Sequence, residues 1–198
     1  MTRTYSVQSV SYSLSSEGKP SQFIRFAGCN LAEEGHPCSW CNAPEAQLTE
    51  QGKQLNTVQI TGKLQKNPCM DVMLTGGEPL HRKGLFTLSS HLKQLGYKVC
   101  VDTNGSLGVN FVVRYVMDVK CPSSGNAEYN LYSNLPNLKF DDTVKFVVRD
   151  REDFEFALEV LGKYTTRATP TFSPVGGELS VEEVGEWLMS DYPEGRVV

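Results

Sequence analysis

The sequence predicts an α/β fold with a mainly parallel, curved sheet, and three observations carry that expectation. Strand-like and helix-like segments alternate along the 198 residues, as in βαβ units. Hydrophobic residues make up 39% and charged residues 21%, enough apolar material for a core and too little charge for a disordered chain. The distinctive short segments GCNLAEEGHPCSWC, TGGEPL, DTNGS, DVKCPSSG and SPVGGEL each follow an expected strand. Right-handed crossovers place helices outside a curved sheet or partial barrel, and chemistry then collects in loops at the C-terminal strand ends.

Gln22–Ala27 alternates and reads as a strand, and Gly28–Pro44 is a Cys-, Gly- and Pro-rich loop. Leu48–Asn67 is mixed, with its best helical stretch at Thr57–Lys66. Asp71–Thr75 is a short apolar run ending in Gly-Gly, a buried strand. Gly84–Gly96 carries Leu85, Leu88, Leu92 and Leu95 at helical spacing, with Gly96 as its stop. Tyr97–Asp102 is a strand before the Asn104-Gly105 turn, and Phe111–Val119 is another, ending at Cys121-Pro122. Thr143–Val148 is a strand, and Asp150–Gly162 is a helix with Phe154, Ala157, Leu158 and Leu161 on one face. Thr169–Ser173 is a short strand, and Ser180–Met189 a helix opened by a Ser180/Glu183 capping box.

Length allows one domain, two at most. The net charge of -4 argues against a nucleic-acid binder, which needs a basic surface. No run approaches the roughly 18 apolar residues of a membrane span. The first twenty residues lack an apolar signal core, so the expectation is a soluble, cytoplasmic protein with reduced thiols and neither nucleic-acid nor membrane partners.

Those thiols number six. Cys69, Cys100 and Cys121 lie in or beside expected strands and read as packing residues. Cys29, Cys38 and Cys41 share one loop as C-x8-C-x2-C, so three thiolates can reach one metal centre. A Cys3His zinc site completed by His36 is one alternative, and a thioredoxin-like pair at Cys38 and Cys41 is another. A three-thiolate iron–sulfur cluster with one open iron reads better, because no fourth cysteine lies near.

With Gly76-Gly77-Glu78-Pro79 after the next strand, this cysteine loop resembles the radical S-adenosylmethionine (SAM) superfamily. The resemblance implies a partial (β/α)6-type TIM barrel as a single domain over residues 1–198, with a cluster-binding loop at 28–44. It is closest to the 7-carboxy-7-deazaguanine synthase family. The segments that carry it are Tyr12–Gly18, Arg25–Leu31, Val101–Gly105, Asp118–Gly125, Val144–Val148 and Ser173–Val175. The family converts 6-carboxy-5,6,7,8-tetrahydropterin to 7-carboxy-7-deazaguanine by radical ring contraction with loss of ammonia, a carbon–nitrogen lyase reaction of queuosine and archaeosine biosynthesis. Carried over by position, Cys29, Cys38 and Cys41 would hold a 4Fe–4S cluster. Thr75, Gly76, Gly77, Glu78, Asn104, Lys120 and Ser123 would line SAM. Glu17 would take the pterin's amino-pyrimidine edge, Arg25 its carboxylate, and Gly77 would also touch substrate. The resemblance further implies a flavodoxin- or ferredoxin-type electron donor and a homodimer.

Three departures stand out. Ser15-Ser16 replaces the family's Gln-Gly before the glutamate. Asn42-Ala43 replaces Asp-Thr after the third cysteine, where the threonine ligates Mg²⁺, so Mg²⁺ could bind there only through backbone, water or substrate. The chain also ends at Arg196-Val197-Val198, where the family's last strand begins. The Cys41–Glu45 run resembles glycyl-radical-enzyme activases, which use the same cluster and SAM, and a non-catalytic cluster- or zinc-binding paralogue is the remaining alternative.

Overall fold

The computed structural model describes residues 3–15, 17–110 and 113–198. The chain divides into two compact units. The first comprises Met1–Pro37, Cys41–Thr103 and Asn110–Arg114; the second comprises Cys38–Trp40, Asn104–Val109 and Tyr115–Val198.

In the first unit, β1 (Thr4–Leu14) and β2 (Pro20–Phe26) form an antiparallel hairpin. A short α1 (Asn30–Glu33) follows, then β3 (Lys53–Asn56), which adds antiparallel to β1. Next come α2 (Thr57–Leu64), β4 (Asp71–Gly76), α3 (Leu85–Gln94) and β5 (Lys98–Thr103). The strand order is β3-β1-β2-β4-β5, with β2, β4 and β5 parallel. One face of these parallel strands carries Ile24, Phe26, Val72, Leu74, Val99 and Val101, all buried, and the helices bury Ile60, Leu64, Leu85, Leu88 and Leu92. The opposite face carries Phe23, Arg25, Met73, Thr75, Cys100 and Asp102, because successive side chains alternate across a strand.

The second unit holds β6 (Arg114–Val119, from Tyr115 onward), β7 (Thr143–Val148), α4 (Arg151–Lys163), β8 (Thr169–Pro174), α5 (Val181–Asp191) and β9 (Arg196–Val197). These strands run in the order β6-β7-β8-β9 and are parallel throughout. Phe146 and Phe172 stack at 5.5 Å, and Phe172 meets Phe154 of α4 at 5.2 Å, so the apolar face is the helix-covered one. Asp118, Lys145 and Thr171 form a register row on the other face.

The expected helices and parallel strands are present within a few residues of their expected bounds. The 28–44 loop contains α1 and runs into a 3-10 turn at Pro44–Ala46. The Ser180 capping box is present, and Asp150 caps α4. The strand expected from Phe111 is described from Arg114; Phe111 and Val112 lie outside the described residues, as does Ser16. Strands β1 and β3 were not expected. Among the described residues, no helix is long and apolar enough to cross a membrane.

Candidate functional site

Three strand ends of the first unit meet around the two sequence motifs. Gly77 N donates to Phe26 O at 2.9 Å and Glu78 N donates to Gly28 O at 2.9 Å, so the Gly-Gly-Glu loop is stitched to the start of the cysteine loop. A Cβ on Gly76 would collide with the Phe26 backbone, and Gly76 has φ 128°, so only glycine fits. A Cβ on Gly77 would strike the Gly28 carbonyl. The glycines therefore serve a backbone crossing. Glu78 is fully buried; Oε1 accepts from Leu80 N and from Thr103 Oγ1, each at 2.8 Å. Thr75 Oγ1 donates to Asp102 Oδ2 at 3.0 Å.

A second network braces the cysteine loop from outside. Glu33, in α1, accepts from Thr49 N at 2.9 Å and from the Thr49 hydroxyl, meets His81 Nε2 at 3.2 Å, and lies 4.0 Å from Arg82 Nη2. Arg82 Nη1 donates to Thr49 Oγ1 at 3.0 Å. Burial alone would raise the Glu33 carboxyl, but the Thr49 hydrogen bonds, with Arg82 and His81, outweigh it and hold the carboxyl below its usual range. Burial pulls the Arg82 guanidinium below its ordinary value, opposed by Glu33, Glu78 and Cys29.

Arg25 and Thr75 are register partners on the polar face, and Arg25 Nε lies 3.8 Å from Glu45 Oε1. Glu17 sits in the β1–β2 turn. It lines a small polar pocket with Ser15, Lys19, Asp71, Met73, Lys98, Cys100 and Arg114, among others. Met73 and Cys100 form the row one step below Arg25, Thr75 and Asp102. Two residues of strand span roughly 7 Å. Gly77 lies beyond the far end of β4 from this pocket.

In the second unit, Asp118 is bound on both oxygens, by Lys120 Nζ at 2.7 Å and Lys145 Nζ at 2.9 Å. Burial would raise its carboxyl, but the two ammonium groups outweigh burial and hold it below the ordinary range. Burial would likewise lower Lys120, but Asp118 more than compensates and its ammonium is held above its ordinary value. Lys120 Nζ lies 5.9 Å from the Trp40 ring centroid, and the indole donates to Ser123 Oγ at 3.3 Å. Ser123 is in turn held by Asp153, through its amide at 3.0 Å and its hydroxyl. Asn104 Oδ1 accepts from Ser106 N at 2.9 Å and Ser106 Oγ at 2.7 Å.

Cys29, Cys38 and Cys41 are half-buried, as is Cys69, while Cys100 and Cys121 are buried. His36 is exposed. Among the described residues, no three His, Cys, Asp or Glu side chains are gathered closely enough to hold a metal ion. The donor set still fits a cluster in kind. A cation beside a thiol stabilises the thiolate that a metal ligand must be. Arg82 is electrostatically coupled to Cys29 in the first unit, and Lys120 to Cys38 in the second. Asn126 Nδ2 lies 3.5 Å from Cys38 Sγ. Two buried polar atoms beside these thiols, Arg82 Nε and Asn126 Oδ1, have no partner among the described residues. Burial pushes the Cys121 thiol well up, as suits a packing residue.

Arg82, Glu33, Arg114, Asp118 and Lys145 were not singled out from sequence. A lysine inside the apolar Thr143–Val148 run was the one available signal; the others declare themselves only through tertiary partners.

No family model matches the chain. It is similar to the 7-carboxy-7-deazaguanine synthase of Methanospirillum hungatei, 35% identical over 178 residues that cover 87% of this chain and 71% of that one. The synthase of Leptospira interrogans is 33% identical, covering 92% and 87%, and that of Chlorobaculum tepidum is 32% identical, covering 94% and 84%. The crystal structure of QueE from Escherichia coli superposes with a TM-score of 0.75 at 19% identity, covering 98% of this chain and 92% of that one, which shows a shared fold. Relatives at this identity, aligned over most of both sequences, place the chain in the 7-carboxy-7-deazaguanine synthase family.

Proposed function

We propose that the protein is a radical SAM carbon–nitrogen lyase converting 6-carboxy-5,6,7,8-tetrahydropterin to 7-carboxy-7-deazaguanine in deazapurine biosynthesis. The observation that carries this is the stitching of the Gly76–Glu78 loop to the cysteine loop, in a chain whose relatives bear that activity in their names. When bound, a 4Fe–4S cluster on Cys29, Cys38 and Cys41 together with SAM would supply a 5′-deoxyadenosyl radical able to take the hydrogen at C6. The protein's own residues bind, orient and exclude water. Arg25 pairs with the pterin carboxylate through its guanidinium fork, and Glu17 accepts from the amino-pyrimidine edge. The one-row offset between the Glu17 pocket and Arg25 on one sheet face supports this, since a fused two-ring ligand carries those groups at opposite ends. Thr75–Glu78, Asn104, Lys120 and Ser123 line SAM in this reading. Glu78 is already ordered by Thr103 and Leu80, so it needs little reorganisation to face an ammonium.

The fold in this reading is a partial barrel of the radical SAM type. A homodimer, a flavodoxin- or ferredoxin-type donor and a cytoplasmic setting complete the proposal. Ala43 is buried and has no side-chain oxygen, so Mg²⁺ would rest on backbone, water or substrate. Added Mg²⁺ should therefore change turnover less than in relatives with threonine there; a strict Mg²⁺ requirement would contradict this. The decisive experiment is anaerobic turnover of reconstituted, reduced protein with SAM and the pterin, scored by 7-carboxy-7-deazaguanine. Slow 5′-deoxyadenosine formation that the pterin does not stimulate would remove the assignment.

A further inference from the structure

The Glu17 carboxylate is held by a fork. Arg114 Nη1 donates to Oε2 at 2.8 Å and Nη2 donates to Oε1, while Lys19 Nζ lies further off at 3.4 Å. The pair joins residues 97 positions apart, and both side chains are largely withdrawn from water, at 20% and 26% exposure. Two parallel N–H groups aimed at two carboxylate oxygens are what a guanidinium offers. The edge of a 2-aminopyrimidin-4-one offers the same pattern, from its ring N–H and its exocyclic amine. The Arg114 side chain thus reproduces, from within the first unit, the hydrogen-bonding edge that Glu17 would take from a pterin.

We propose that Arg114 sets the affinity of this pocket: its guanidinium holds the Glu17 carboxylate until a ligand edge with two parallel N–H donors displaces it. This rests on the function proposed above. The pair keeps the carboxylate ordered in the ligand-free protein, and it lowers apparent affinity by the fraction of time the carboxylate is engaged. Asp71 lines the same pocket and offers a carboxylate within it for the displaced guanidinium.

The test is calorimetric binding of 6-carboxy-5,6,7,8-tetrahydropterin to anaerobically reconstituted protein. Arg114→Ala and the bulkier Arg114→Gln should bind the pterin roughly three- to tenfold more tightly than wild type. Millimolar guanidinium ion should compete with the pterin in Arg114→Ala and leave wild type unaffected. Glu17→Gln should weaken binding, and adding Arg114→Ala to it should bring no further tightening, because the two act through one contact. Equal or weaker binding by both Arg114 variants, with or without a lower melting temperature, overturns the inference and leaves Arg114 a structural partner of the β1–β2 turn. If wild type neither binds nor converts the pterin, the proposed function falls and this inference with it; if wild type converts the pterin but the variants bind no tighter, only the inference falls.

Discussion

Asp118, on the polar face of the second unit, is shared by two lysines. Removing its charge leaves two lysines without their shared partner, and breaking a buried pair typically costs about 3–5 kcal/mol. Asp118→Asn should lower the denaturation midpoint accordingly at neutral pH. Because the folded carboxyl is held below its unfolded value, its contribution is complete above roughly pH 4 and fades as pH falls through the folded value. Denaturant titrations of wild type and Asp118→Asn should therefore converge in acid; a constant gap would refute this sign. The cysteines give a second test at this scale. Cys29→Ala, Cys38→Ala and Cys41→Ala should each lose cluster iron and sulfide after reconstitution, while Cys69→Ala should retain both. Cys69 stands outside the loop, its thiol pointed at the Pro20 carbonyl at 3.3 Å. The three loop cysteines stood out because they lie close together in sequence. Arg114 was not legible, since its partner lies 97 positions away, nor was Asp118, whose second lysine, Lys145, lies 27 positions away.

Among the elements, helices declared themselves through caps. Ser180 Oγ accepts from Glu183 N at 3.1 Å, and Glu183 returns to Ser180 N at 3.1 Å, so Ser180→Ala should cost about 1 kcal/mol, read as a lowered melting temperature. Buried β4 was legible from its apolar run and Gly-Gly stop. β1 was hidden by its own irregularity. Tyr5 and Val7 are its buried apolar residues, but the register shifts between Val7 and Ser9, and the apolar positions resume at Val10, Tyr12 and Leu14. A phase change in mid-strand erases a period-two signal. β3 has only four residues, none of them fully buried. Gly76→Ala should be far costlier than a cap, because the added methyl has no room at the Phe26 backbone and the φ is unfavourable. Loss of soluble, folded protein is the expected outcome, and a variant of wild-type stability would contradict it.

For the whole molecule, strand–helix alternation predicted the parallel strands correctly and could not predict the antiparallel pair that β1 and β3 contribute at one edge of the first unit's sheet. The terminal strands of the sheet order are short, four residues in β3 and two in β9, which limits edge-to-edge pairing. If native protein alone binds the cluster, binding must stabilise the fold by mass action, so reconstituted protein should melt higher than iron-free protein, and chelation should reverse the gain. Identical melting curves would mean that the native fold does not hold the cluster.

Gly28 N and Cys29 N donate to the carbonyls of Ala46 and Gln47, at 2.8 and 2.7 Å, and so close the base of the cysteine loop within the first unit. That closure bears on how the protein would be loaded. A chain that had to draw such a loop shut around incoming iron would forfeit roughly 2–3 kcal/mol of conformational entropy. Here folding has met that cost, so a cluster delivered to this loop in the proposed function would meet two ends that already stand side by side.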